Sequence, residues 1–132
     1  TAMLAKLTAD ALASYAGPAT VESFDPELIT LVRRFGFKGP VGIIADRYDD
    51  PEETRGLSPA QRTFLRHLLH WPWTRFSFIS CNWEALDLPA VRFFRSLGMP
   101  VTAWTVRTAG EARQAAQGAD QIVFEGFDPQ SA

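Results

Sequence analysis

Met99-Pro-Val-Thr-Ala-Trp-Thr-Val-Arg-Thr-Ala-Gly-Glu-Ala112 is the stretch that decides the fold. Its first part, Val101 to Val106, reads as a buried strand with a large aromatic near its end. Thr108 follows as an N-cap, and Glu111, three residues on, is the return arm of a capping box. A strand that feeds straight into a helix is the elementary unit of β/α architecture. Trp104 lies near the carboxyl end of that strand, where such folds bind small molecules.

Working outward, the unit repeats. Leu4, Leu7, Ala11, Leu12 and Tyr15 recur at helical spacing, and Gly17-Pro18 stops that helix. Ala19 to Phe24 is a short strand. Asp25-Pro26-Glu27 then supplies an N-cap, a proline at the first helical position and an acid in the first turn. That helix carries Leu28, Ile29, Leu31 and Val32 and ends at Gly36. Pro40 to Ala45 is nearly all apolar, as expected of a strand covered on both faces. Asp46 to Leu57 is a polar loop. Ser58-Pro59-Ala60-Gln61 is a second capping box, opening a helix that Pro72 is expected to end. Arg75 to Ser80 reads as a strand, and Asp87 as the cap of a helix carrying Val91, Phe93, Phe94 and Leu97. After Val101 to Val106 come a helix from Ala109 to Gln117 and a last strand, Gln121 to Glu125.

Five strands with a helix between each pair become parallel neighbours through right-handed crossovers. Periodicity leaves two architectures open: a doubly wound open sheet, or part of a (β/α)8 barrel. The opening helix has no strand before it, which suggests a chain starting in mid-unit.

Bulk properties narrow the function. A length of 132 residues and 46% hydrophobic content fit one domain able to bury a core. The formal charge of -2 offers no basic stripe for nucleic acid. No apolar run approaches the roughly 20 residues of a membrane helix. Thr1 to Tyr15 reads as an amphipathic helix holding Lys6 and Asp10 rather than as a signal peptide. These features fit a soluble protein, with a cytoplasmic setting favoured over a periplasmic one. The single cysteine, Cys81, excludes an internal disulfide and any cysteine-rich zinc site.

Three segments carry a family resemblance. Tyr15-Ala-Gly-Pro-Ala-Thr-Val-Glu-Ser-Phe-Asp-Pro26 resembles the fourth-strand region of the glycerophosphodiester phosphodiesterases, where a tyrosine and a Gly-Pro precede a strand ending Ser-Phe-Asp-Pro. Gly98-Met-Pro-Val-Thr-Ala-Trp-Thr-Val106 is similar to the seventh strand. Gly118-Ala-Asp-Gln-Ile-Val-Phe-Glu125 stands where the closing strand does. The three occur in register across almost the whole chain. Arg107 replaces the family's asparagine, Glu125 its aspartate and Gln121 a glycine, and Glu22 stands where an apolar residue is common. The resemblance implies the last five strands of a barrel whose first three are absent. It also implies a parent activity, the hydrolysis of glycerophosphodiesters to an alcohol and glycerol 3-phosphate with calcium or magnesium. The His-Arg-Gly, Glu-x-Asp and Glu-x-Lys motifs that the family uses for acid–base work and metal binding do not occur between Thr1 and Ala132. The chain alone is therefore expected to be inactive and to bind no metal.

By position, Glu22 to Asp25, Asp46, Asn82, Trp104 and Glu125 ring the carboxyl rim; Glu22, Phe24, Asn82, Trp104 and Glu125 are the candidate pocket residues, and Phe24 and Trp104 wall a pocket for the glycerol or alcohol moiety. Alternation sets Glu22 on the same face as Phe24, where its carboxylate needs a partner, with Arg47 and Arg107 as candidates. Asp25 reads as a cap. His67 and His70 lie well off the stripe formed by Phe64, Leu65, Leu68 and Leu69, so both are expected to face solvent. Cys81 reads as a small buried hydrophobe. The Trp71-Pro72-Trp73 cluster reads as packing, and Asp46 to Leu57 as a solvated flap able to act as a gate. Two alternatives stand beside the enzyme fragment: a non-catalytic binding or interaction module, and an open flavodoxin-like or Rossmann-like ligand-binding domain. A cut barrel also leaves raw edges, which predicts pairing with a second copy or with the missing half.

Overall fold

A computed structural model of the chain describes residues 1–131, with the backbone alone for Ser131. Helix α1 (Ala2–Ala13) leads to β1 (Val21–Ser23), α2 (Pro26–Arg34) and β2 (Val41–Ala45). Next come α3 (Pro59–Arg66), α4 (Trp71–Thr74), β3 (Phe78–Asn82) and a 3-10 turn at Trp83–Ala85. The chain continues through α5 (Pro89–Ser96), β4 (Val101–Val106), α6 (Ala109–Ala115) and β5 (Gln121–Phe124).

All five strands are parallel and lie side by side in chain order, β1-β2-β3-β4-β5. That order has no reversal point, so the doubly wound flavodoxin-like or Rossmann-like alternative is excluded. The fold is a run of five β/α units laid down in one direction, as in a barrel.

Register divides the sheet into two faces. One carries Val41, the row Ile43, Ile79, Val101, and the row Ala45, Cys81, Ala103, all buried. This face meets the helices, which add Ile29, Val91 and Ala115 to the same core. Burying each large aliphatic side chain there is worth about 1.5–3 kcal/mol. The opposite face carries Glu22, Gly42 and Phe78 in one row, Ile44, Ser80, Thr102 and Gln121 in the next, and Asn82 beside Trp104. It corresponds to the inner wall of a barrel, and its mixed polarity suits a binding face.

The helix starts follow their caps. Asp25 Oδ1 accepts the Glu27 N–H at 2.9 Å, and Ser58 and Gln61 bond reciprocally at 3.1 and 2.8 Å. Thr108 Oγ1 accepts the Glu111 N–H at 3.1 Å, but Glu111 takes the Thr108 hydroxyl (2.9 Å) instead of its N–H. The box there is closed through one oxygen.

Several expectations change. The helix from Ser58 does not run to Pro72: it ends at Arg66, and Leu68 turns left-handed with φ 52°. Pro72 then sits in the first turn of α4, where its missing N–H costs nothing. This reversal resets the helical phase, so Leu69 is exposed and His70 is buried. Strand β3 starts three residues later than expected and runs to Asn82. Asp87 caps nothing. Pro89 occupies the first turn of α5, which leaves Leu88 at the cap, and Asp87 pairs with Arg47 instead. On α5 Val91 is buried while Phe93 and Leu97 are exposed. On α1 the buried residues are Ala5 and Ala9, whereas Leu4 and Leu7 are exposed, as is Tyr15 just beyond the helix.

Gly42 serves the inner face. A Cβ there would enter the van der Waals envelope of the Phe78 ring, which lies across it. Gly42→Ala is therefore expected to destabilise the chain by about 1–3 kcal/mol, the range for overpacking. Urea unfolding of the single variant and of Gly42→Ala combined with Phe78→Ala checks this. The second change should recover part of the loss if the ring is the obstacle.

Candidate functional site

The carboxyl ends of β1 and β4 bring two rings together. Phe24 follows β1, Trp104 lies near the end of β4, and their centroids are 6.1 Å apart at an interplanar angle of 80°. Strands β2 and β3 run between them, and neighbouring strands are about 4.8 Å apart. Both rings must therefore lean inward over the inner face to meet. Tyr48 joins from the loop after β2, with its ring 6.5 Å from Phe24 at 81°. Burial, with Asp46 adding to it, pushes the Tyr48 hydroxyl up to about 12, so it remains a neutral donor. The Trp104 indole N–H is buried without a hydrogen-bond partner among the described residues. A buried donor left bare costs about 1–3 kcal/mol, and a ligand oxygen placed there would remove that cost.

Polar groups line the same end. Asn82 Nδ2 donates to Asp46 Oδ1 at 3.3 Å, and its own Oδ1 accepts the Glu84 N–H at 3.0 Å. Asp46 Oδ1 also accepts the Arg47 N–H at 2.8 Å. Deeper on the inner face, Ser80 Oγ donates to Glu22 Oε1 at 3.4 Å. This serine, 1% exposed, is the partner of Glu22. Neither arginine expected there supplies it: Arg47 turns to Asp87 and the Glu84 carbonyl, and Arg107 pairs with Glu125 at 2.8 Å. Each finds a carboxylate or carbonyl closer to its own strand end.

Of the five candidate pocket residues, Phe24 and Trp104 are in contact, and Asn82 and Glu22 belong to the same face through Asp46 and Ser80. Glu125 is committed to an exposed ion pair with Arg107. Tyr48 and Ser80 went unnoticed in the sequence. Tyr48 had a usable signal, an aromatic three residues beyond a strand end. Ser80 had none, because a serine inside a strand gives no sign of its partner. The loop after β2 is pinned at its base, with Arg66 Nε donating to the Arg47 carbonyl at 2.5 Å. Farther along, the Thr54 hydroxyl is buried and donates to the Asp50 carbonyl at 2.6 Å.

Neither histidine is at this rim. His70 is buried next to Phe76, before β3 begins and thus at the opposite end of that strand from Asn82. The expectation that it faces solvent is wrong because the Leu68 turn swings it inward. His67 is half-buried at the end of α3. Cys81 faces the helices, and burial, with Asp46 next in effect, pushes its thiol up to about 12, which makes it no nucleophile. Trp71 packs as expected, 5.9 Å from Phe94 and beneath the Arg75 guanidinium, while Trp73 is exposed. Among the described residues no three His, Cys, Asp or Glu side chains converge as a metal site. Glu22 and Asp46 are taken up by Ser80, Asn82 and a backbone N–H, so the donors present do not fit a divalent cation. A separate groove of about 800 Å³ lies outside the sheet, lined by Arg47, Asp87, Arg92, Arg95 and Asp120 among others.

The fold and this rim define an α/β chain of five parallel strands alternating with helices, which matches half of a phosphodiesterase barrel. The glycerophosphodiester phosphodiesterase from Thermotoga maritima superimposes with a TM-score of 0.62 at 15% identity, covering 94% of this chain and 50% of that one. A protein assigned as a glycerophosphoryl diester phosphodiesterase from Silicibacter pomeroyi superimposes with a TM-score of 0.68 at 19% identity, covering 93% and 40%. The chain thus spans half or less of the length of these structures. No family model matches the sequence, and no curated protein matches it. Among the described residues no helix is long and apolar enough to cross a membrane.

Proposed function

We propose that this chain is the carboxyl-terminal five β/α units of a glycerophosphodiester phosphodiesterase barrel. In the complete barrel its rim would hold the organic part of the substrate. The observation that supports this most is the meeting of Phe24 and Trp104 over the carboxyl ends of a sheet whose strand order is that of a barrel segment. Both rings stand within the segments that resemble the family.

In this reading the two aromatic walls take the glycerol or alcohol carbons, and Asn82 and the bare Trp104 N–H meet their oxygens. The groups that cleave the diester, and the acids that hold calcium or magnesium, belong to strands outside residues 1–132. The small-molecule diester is thus a partner of the whole enzyme.

Residues 1–132 incubated with glycerophosphocholine and either calcium or magnesium are expected to release no glycerol 3-phosphate above a buffer blank. Measurable turnover by this piece overturns the proposal. The reading frame preceding Thr1 is a second check. A His-Arg-Gly and a Glu-x-Asp encoded there support the enzyme, and a start codon immediately before Thr1 supports an interaction module instead.

A further inference from the structure

The connection between β2 and β3 leaves large apolar side chains in water at the amino end of the sheet. In a β/α unit each helix runs back against its strand, so the last turn of a helix and the turn before a strand share that end. Trp73, in α4, is 70% exposed, and Leu69, between α3 and α4, is 53% exposed. The Phe64 ring lies 6.4 Å from that of Trp73 and is itself partly bare. Leu97, closing α5, is 68% exposed at the same end. These residues belong to the middle of the sheet. Helix α4 is flanked by α2, through Arg33, and by α5, through Trp71 against Phe94. Their exposure therefore owes nothing to the free edges of β1 and β5, and units added beyond those edges would not cover them.

Charge separates along the same axis. No aspartate or glutamate occurs between Glu53 and Glu84, a stretch that carries Arg55, Arg62, Arg66 and Arg75. The Arg75 guanidinium lies 4.3 Å over the Trp71 ring. Arg33 donates to the Thr74 and Arg75 carbonyls and so holds the end of α2 against α4. Arg34 and Lys38 follow it, exposed and without an ion pair among the described residues. Asp120, before β5, is taken up by the Val101 N–H and Arg95. Carboxylates gather at the other end instead: Asp49, Asp50, Glu52 and Glu53 after β2, and Glu84 and Asp87 after β3.

Tryptophan and leucine side chains set among unpaired cations make an interfacial face. The indole suits the headgroup level of a bilayer, and basic side chains are drawn to an anionic leaflet. We propose that the amino end of the sheet docks on a membrane surface containing anionic phospholipid. Trp73, Leu69 and Leu97 enter the headgroup region, and Arg34, Lys38 and Arg75 meet lipid phosphates. Repulsion turns the acidic carboxyl end away from the bilayer, so the rim with Phe24 and Trp104 stays open to molecules dissolved in water. This docking goes beyond the phosphodiesterase reading and does not rest on it.

Co-sedimentation of residues 1–132 with lipid vesicles tests it, with far-UV circular dichroism confirming that each variant folds. Vesicles of phosphatidylcholine with about one-quarter phosphatidylglycerol should bind the chain roughly tenfold or more better than phosphatidylcholine alone. Trp73→Ser combined with Leu69→Ser should weaken binding to the anionic vesicles roughly tenfold or more through lost apolar insertion. Arg34→Ser combined with Lys38→Ser should do the same through lost attraction. Tryptophan emission should shift to the blue on binding, and Trp73→Phe should lose most of that shift while still binding. Wild-type chain that stays in the supernatant of anionic vesicles overturns the proposal. So does binding that either pair of changes leaves intact, or a blue shift that survives Trp73→Phe.

Discussion

Phe76→Ala is expected to cost about 3–5 kcal/mol, the range for truncating a fully buried aromatic. Phe76 is 2% exposed and stands just before β3. Its ring centroid is 5.1 Å from that of Phe94 on α5 and 5.8 Å from that of His70, and its carbonyl accepts the Trp71 Nε1–H at 3.4 Å. It therefore joins α4, α5 and the sheet. Removing it leaves a cavity walled by stiff aromatic rings, which cannot collapse to fill the space. With marginal stability of about 5–15 kcal/mol for ordinary domains, the variant should lose a large part of its total. Denaturant titration checks this. A loss below about 1 kcal/mol would show that the surrounding rings close over the gap.

Acid should weaken the fold through His70. Its ring is buried between Phe64 and Phe76, and burial pushes its pKa down to about 4 from 6.5. Thr74 Oγ1 donates to the His70 carbonyl, so it accepts from His70 Nδ1–H at 3.0 Å. The neutral ring thus carries its proton on Nδ1, and Nε2 is buried without a partner among the described residues. The sign follows from linkage. Above about pH 6.5 neither state binds a proton here, and stability is full. As the pH falls from 6.5 towards 4 the unfolded chain is protonated first, so stability drains away. Below the folded value both states are charged and the loss is complete, about 3 kcal/mol. In His70→Phe this component is absent. Between pH 7 and pH 4 the unfolding free energy of wild type should therefore fall by about 3 kcal/mol more than that of the variant, with pH 5.5 in between. Parallel curves would show that His70 contributes nothing to the acid response.

What could be read of the site from the sequence divides by the range of the interaction. Phe24 and Trp104 were recognisable because strand ends are local signals and the rim of a parallel sheet is where strands stop. The contact between them is not local: eighty residues separate the rings, which meet by leaning in over the inner face from β1 and β4. The partner of Glu22 was misread for the same reason. Two arginines were better candidates by charge, yet Ser80 holds the position from β3, across the intervening strand β2.

The chain by itself determined the alternation of five strands with helices and the caps at Asp25, Ser58 and Thr108. Capping and apolar periodicity act over a few residues, and each segment carries its own. Tertiary structure alone decided the order of strands across the sheet, the inward turn of His70 at Leu68, and the redirection of Asp87 to Arg47. It also decided that α1 rests on two alanines and leaves Leu4 and Leu7 bare. Apolar spacing marks a face that gains by burial, but what covers that face depends on neighbours distant in the chain.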